Sequence, residues 1–114
     1  MPAHFVFGNN DADNVPKLRD AIRDVKGVCL EWYGEVELAR KRIAVAHGYM
    51  HHDIRRLFAA RPDYLLSGHS HFASDVRVEL TRRINPGALH RAAEFSVAVL
   101  DLETDELLFL VVRR

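Results

Sequence analysis

The sequence has few of the features that assign a chain to a special class of protein. It contains one cysteine, Cys29, so no internal disulfide can form. This thiol stands in an apolar run, and we expect it to act as a small buried hydrophobic side chain. The longest apolar run is the six residues from Leu107 to Val112, which is too short to span a bilayer. The N-terminus lacks a basic segment followed by an apolar one, so we expect a cytoplasmic protein with no membrane association.

The chain also lacks net charge, repeats and linkers. Its 16 basic and 16 acidic side chains cancel, which leaves no overall field to attract nucleic acid as a stable partner. A hydrophobic fraction of 48% excludes a disordered chain of low hydrophobicity. Because 114 residues suffice for one compact domain but not for two, we interpret residues 1–114 as a single domain.

Histidine is the residue type whose count is unusual. Of the 7 histidines, five lie within twenty-five residues, at His47, His51, His52, His69 and His71. Two of them share the segment Ser67-Gly68-His69-Ser70-His71, where an extended backbone would point both imidazoles to the same side. Neutral imidazole is the commonest side-chain ligand for transition metals. An isolated pair of this kind is nevertheless more often an ordinary polar strand edge, so a metal-ligand role needs support from other parts of the sequence.

The hydrophobic pattern predicts strands that alternate with helices. A helix from about 15 to 26 is opened by Pro16, with Asp13 or Asn14 as its cap. Strands are predicted at 3–7, 28–32, 34–38, 42–46 and around 64–66, with a second helix before Pro62 and a C-terminal hairpin of 95–102 and 106–112. In this pattern His47 and His69 each follow a strand of one strand–helix–strand unit, at the end where ligands gather.

Four motifs stand in order along the chain: Gly8-Asn9-Asn10-Asp11, Ala46-His47-Gly48, Gly68-His69-Ser70-His71 and Asn85-Pro86-Gly87. Together they resemble the calcineurin-like metallophosphoesterase superfamily, and within it the small phosphodiesterases of the YfcE type. The resemblance covers essentially the whole chain. It implies an α/β fold of mixed β-sheets with two helices, equivalent to part of the family's α-β-β-α sandwich.

The resemblance also implies phosphoester substrates and a pair of divalent ions, which are manganese, zinc, iron or nickel. Paired cations lower the pKa of water and neutralise charge on the phosphoryl oxygens, so that an activated hydroxide can attack phosphorus. Carried over residue by residue, the likeness assigns Asn9, His47 and His69 to one ion and His71 to the other.

Two further residues of the first motif carry catalytic roles by the same resemblance. Asp11 would orient the loop that holds the ligands, as an outer partner of the metal site. Asn10 stands where larger members of the superfamily often place a histidine that protonates the leaving group. An asparagine amide cannot act as a general acid near neutral pH, and Asn85-Pro86-Gly87 is explained equally well as a structural turn or as a source of backbone donors.

Two motifs of the superfamily are absent from this sequence: the Asp-x-His of its first strand and the Gly-Asp whose aspartate bridges the ions. One ion would then keep three ligands and the other only His71, so we expect weak binding of one ion or none, held by His69 rather than His71. We expect an N-terminally truncated domain or a misplaced start ahead of a naturally shortened protein. A homo-oligomer could cover the open strand edges.

Two functions remain open on this sequence. The first is a metal-dependent phosphodiesterase that is incomplete in this chain. The second is a non-catalytic protein-interaction module on the same scaffold, since the retromer scaffold subunit also resembles this family.

Overall fold

The computed structural model of the protein describes residues 3–8, 11–48 and 51–113, and for residues 51–53 it describes the backbone alone. Within them, two helices combine with a five-stranded sheet and two two-stranded sheets, which confirms the predicted α/β class. The elements are β1 His4–Phe5, α1 Val15–Asp24, β2 Val28–Cys29, β3 Tyr33–Leu38, β4 Lys41–Ala46, α2 His51–Ala59, β5 Tyr64–Ser67, β6 Ser74–Val78, β7 Thr81–Asn85, β8 Ser96–Leu100 and β9 Leu107–Val111. A helix long and apolar enough to cross a bilayer is absent from these ranges.

The five-stranded sheet has the order β3-β4-β5-β7-β6. Strands β4, β5 and β7 run parallel, while the edge strands β3 and β6 are antiparallel to their neighbours. Helix α2 connects β4 to β5, so the predicted strand–helix–strand unit is confirmed. Parallel pairing brings the carboxyl ends of β4, β5 and β7 to the same edge of the sheet.

Both faces of this sheet are covered. On one face, Ile54 and Leu57 of α2 pack against the buried Ala44, Ala46 and Leu65. On the other face, a second cluster packs against the β8–β9 hairpin, and it contains Ile43, Tyr64, Ile84, Leu100 and Leu107. Coverage on two sides explains why β4 and β5 are apolar nearly throughout instead of alternating.

Several elements are shorter than the sequence pattern predicts. Strand β1 covers His4–Phe5 instead of 3–7, and β2 covers Val28–Cys29 instead of 28–32. The φ angle of Glu31 is +64°, and this left-handed conformation ends the extended strand. Cys29, expected to be a small buried hydrophobic side chain, is only partly covered in the short strand β2.

A polar network ties the β8–β9 hairpin to the sheet. The Asp105 carboxylate accepts hydrogen bonds from the Tyr64 hydroxyl at 2.5 Å, from Arg77 at 2.8 Å and from Arg82 at 3.0 Å. The bond from Tyr64, followed by the one from Arg82, lowers the pKa of Asp105 to about 2. Burial, followed by the bond to Asp105, raises the pKa of Tyr64 to about 12.

This network predicts a defined pH dependence for the variant Asp105→Asn. A carboxylate whose pKa falls on folding stabilises the protein above its unfolded value of 3.8, and the contribution disappears as the pH falls through the folded value. The side chain is 44% exposed, so solvent screening limits the loss at pH 7 to about 1 kcal/mol. In urea unfolding we expect the variant and the wild type to converge as the pH falls from about 5 towards 2. The exposed Asp20→Asn is the control, and parallel pH profiles for Asp105→Asn and wild type would contradict the assignment.

Candidate metal site

The structure brings His47 and His69 together at the carboxyl edge of the sheet. His47 directly follows β4, and His69 lies two residues beyond β5. The Gly68 amide donates to the His47 carbonyl at 2.8 Å, which joins the two strand ends. The imidazoles meet edge to face, with Nδ1 of His69 3.2 Å from Nε2 of His47.

The separation of these two nitrogens suits one shared ion. With metal–nitrogen bonds of about 2.0–2.1 Å and tetrahedral angles, two ligand nitrogens lie about 3.3–3.4 Å apart, close to the 3.2 Å of this pair. Among the described residues, no third histidine, cysteine, aspartate or glutamate completes a cluster with them. The third ligand that the sequence predicts, Asn9, lies outside the described residues, as does Asn10. The pair therefore fits as part of a ligand set, and the predicted role of Asn9 stays a prediction.

The electrostatic surroundings of His47 favour its neutral form. Partial burial, followed by the neighbouring His69, lowers the pKa of the His47 imidazole, although the Asp11 carboxylate acts in the opposite direction. Neutral imidazole is the form that binds metal ions. The chain at Gly8 passes directly against this ring, since a Cβ placed on Gly8 would lie 3.2 Å from Nδ1 of His47.

Asp11 closes the loop that contains the first motif. Its carboxylate Oδ2 accepts a hydrogen bond from the Gly8 amide at 2.6 Å, and its own amide donates to the Gly8 carbonyl at 3.1 Å. A loop held in this way starts beside the His47 ring. This geometry is compatible with the orienting role that the sequence assigns to Asp11, which remains a prediction.

His71 adopts a different environment from His69. The extended backbone assumed for the histidine pair was wrong, because both residues lie beyond β5 and have left-handed φ angles of +74° and +64°. Nδ1 of His71 lies 3.3 Å from the Arg91 carbonyl oxygen. Because a carbonyl only accepts, Nδ1 of His71 is the donor in this contact. Histidine ligands commonly donate one ring nitrogen in this way.

The Asn85 side chain has a role in the site that its sequence motif did not indicate. This side chain is buried, and its Nδ2 donates to the Gly68 carbonyl at 3.3 Å and to the Ser70 hydroxyl at 3.0 Å. Its Oδ1 accepts from the Gly87 amide at 3.0 Å. Asn85 thus holds the loop of His69 against the end of β7. Its position in the sequence could have indicated this role, because Asn85 is the last residue of β7, which ends at the same sheet edge as β4 and β5.

A comparison with protein families decides the ancestry of this arrangement. The sequence profile of the calcineurin-like phosphoesterase superfamily domain matches residues 1–105. The chain belongs to this superfamily. The match contains all four motifs, so the resemblance seen in the sequence is confirmed. None of the curated protein sequences matches this calcineurin-like chain significantly.

Solved structures share the fold of this superfamily member. An archaeal phosphodiesterase aligns with a TM-score of 0.85 and 22% identity, over 96% of this chain and 68% of its own. A Thermotoga maritima protein aligns with a TM-score of 0.57 and 23% identity, over 96% of this chain and 79% of its own. Vps29 from Entamoeba histolytica, in complex with Zn²⁺, aligns with a TM-score of 0.56 and 15% identity, over 92% of this chain and 72% of its own. At these identities the likeness establishes the fold, which is the partial metallophosphoesterase sandwich expected from the sequence.

Proposed function

We propose that this chain is a metal-dependent phosphoesterase that hydrolyses phosphodiesters and holds a divalent ion between His47 and His69. Membership of the calcineurin-like superfamily supports the reaction class. The observation that carries the metal site is the 3.2 Å approach of the two imidazole nitrogens at the carboxyl edge of the sheet. Asn9 is the proposed third ligand of this ion, and His71 is proposed to serve a second ion.

A divalent ion bound here would supply positive charge to the phosphoryl oxygens and lower the pKa of water. The chain's own residues prepare the site for that ion. Partial burial, followed by the neighbouring His69, lowers the pKa of the His47 imidazole, and Asn85 fixes the loop that carries His69. The Asp11 carboxylate holds the Gly8 amide, and Gly8 lies beside the His47 ring. Ligands held by such supporting contacts lose less freedom when the ion binds.

The test of this proposal is hydrolysis of bis(4-nitrophenyl) phosphate by the purified chain. After chelation we expect no turnover, and we expect addition of Mn²⁺, Zn²⁺, Fe²⁺ or Ni²⁺ to restore it. His90→Ala is a suitable control, because His90 belongs to none of the four motifs. Absence of both bound metal and turnover would overturn the proposal and leave the non-catalytic interaction module as the hypothesis to pursue.

The asparagine at position 10 leads to a prediction about leaving groups. Its amide cannot protonate a departing alkoxide, a contribution typically worth about 10²–10⁴-fold in rate. We therefore expect phosphodiesters with nitrophenyl leaving groups to react at least about 100-fold faster than their alkyl counterparts. Steady-state rates on the two substrate classes measure this, and Asn10→His should narrow the gap. Equal rates on both classes with the wild type would count against it.

A further inference from the structure

A polar cleft opens beside His69 on the side of the sheet that faces α2. Its volume is about 290 Å³, and its lining includes Ser67, His69, Ser70, Val76, Arg83 and Asn85. This size lies at the lower limit of ligand pockets, about 300–1,000 Å³, so the cleft suits a small group and not a large ligand.

Arg83 is the unusual residue of this cleft, because it is a partly buried cation without an acidic partner among the described residues. The adjacent Arg82 shows the ordinary arrangement, since it pairs with two aspartates. Nε of Arg83 instead donates to the Ser67 hydroxyl at 3.4 Å, and its guanidinium carbon lies 5.9 Å from the centre of the Phe58 ring. These two contacts hold the guanidinium in place while both terminal nitrogens stay without a hydrogen bond to the described residues.

The rest of the cleft is suited to an anion. Its described lining contains no carboxylate, and it includes the hydroxyl-bearing Ser67 and Ser70 beside the guanidinium of Arg83. A guanidinium presents its N–H groups as a planar fork that matches the oxygens of a phosphate. A partly desolvated cation is also costly until an anion compensates it.

We propose that this cleft binds a second phosphate group, so that the preferred substrates are phosphoesters that carry an additional phosphate. The inference rests on the proposed function, because the reacting phosphoryl group would lie at His47 and His69 and the cleft begins at His69. Arg83 would then determine specificity by recognising the part of the substrate that does not react.

Binding of inorganic phosphate to the metal-free chain tests the cleft without any need for activity. Backbone amide NMR should show saturable shifts at Ser67, Gly68 and Asn85. The affinity should fall at least about tenfold in Arg83→Gln and less in Arg83→Lys, which keeps the charge but loses the fork. Arg23→Gln removes the same charge from the exposed face of α1 and should bind like the wild type. No saturable shift in the wild type, or equal affinity in wild type and Arg83→Gln, would overturn the proposal.

Kinetics separate this inference from the proposed function. We expect Arg83→Gln to raise KM about tenfold or more for a nitrophenyl phosphodiester that carries a second phosphate, and to leave KM for bis(4-nitrophenyl) phosphate unchanged. If the wild type hydrolyses neither substrate, the proposed function fails while the phosphate titration still decides the cleft. If hydrolysis is intact and Arg83→Gln changes neither KM, the second-phosphate site is wrong and the phosphoesterase stands.

Discussion

His69→Ala should weaken binding of a divalent ion by about 100-fold or more and abolish metal-dependent hydrolysis. Loss of an outer partner of a metal ligand costs about 10–100-fold in affinity or activity, and loss of the ligand itself costs more. The Nδ1 of His69 lies 3.2 Å from Nε2 of His47, so its removal leaves His47 without the neighbouring nitrogen that would share the ion. Isothermal titration with Zn²⁺ or Mn²⁺ measures the affinity.

His71→Ala is the informative comparison for this variant. Nδ1 of His71 contacts the Arg91 carbonyl, whereas Nδ1 of His69 lies against the His47 ring. We therefore expect less than about a tenfold loss of affinity, with His90→Ala unchanged. A larger loss in His71→Ala than in His69→Ala would show that the ion is held at the other end of the loop.

Gly87→Ala should destabilise the fold by about 2–4 kcal/mol. The φ angle of Gly87 is +86°, and a Cβ built there would meet the Ser96 hydroxyl oxygen at 1.9 Å. That hydroxyl cannot simply turn away, because Ser96 is buried and donates to the Pro86 carbonyl at 2.8 Å. The substitution therefore combines backbone strain with a clash inside a packed turn. Chemical denaturation measures the loss.

Two further variants test the cause of the stability loss expected in Gly87→Ala. Gly68→Ala is the matched control, since a Cβ there would lie 3.6 Å from the nearest atom, in ordinary contact, and should cost less than about 1 kcal/mol. Adding Ser96→Ala to Gly87→Ala removes the clashing oxygen and should restore part of the stability. Wild-type stability in Gly87→Ala would contradict the described turn. A loss confined to stability would favour the turn over a catalytic role for Asn85-Pro86-Gly87.

The proximity of His47 and His69 could be predicted from the sequence, because two general rules were enough to place both residues. Hydrophobic runs bounded by turn residues predicted β4 and β5, and a helix between two strands makes them parallel. Residues that follow parallel strands meet at one edge. The four motifs then identified the superfamily, which the profile match confirms.

Other parts of the site depend on local conformation that no periodic pattern records. The left-handed φ angles of His69 and His71 arise in a loop, where strand alternation does not apply. Arg82 and Arg83 are adjacent residues of the same type, but side chains alternate across β7. Arg82 therefore faces the aspartates and Arg83 faces the cleft. The acidic partners of Arg82 are Asp75 and Asp105, which lie 7 and 23 positions away in the chain, so the local pattern of β7 does not show which face carries them.

The most direct test of this account is a titration of the metal-free chain with Zn²⁺, observed through the imidazole nitrogen signals of its histidines. We expect the signals of His47 and His69 to shift together, at the same zinc concentration, while the signal of His71 changes less. Zinc that shifts mainly His71, or that leaves both His47 and His69 unchanged, would contradict the proposed metal site.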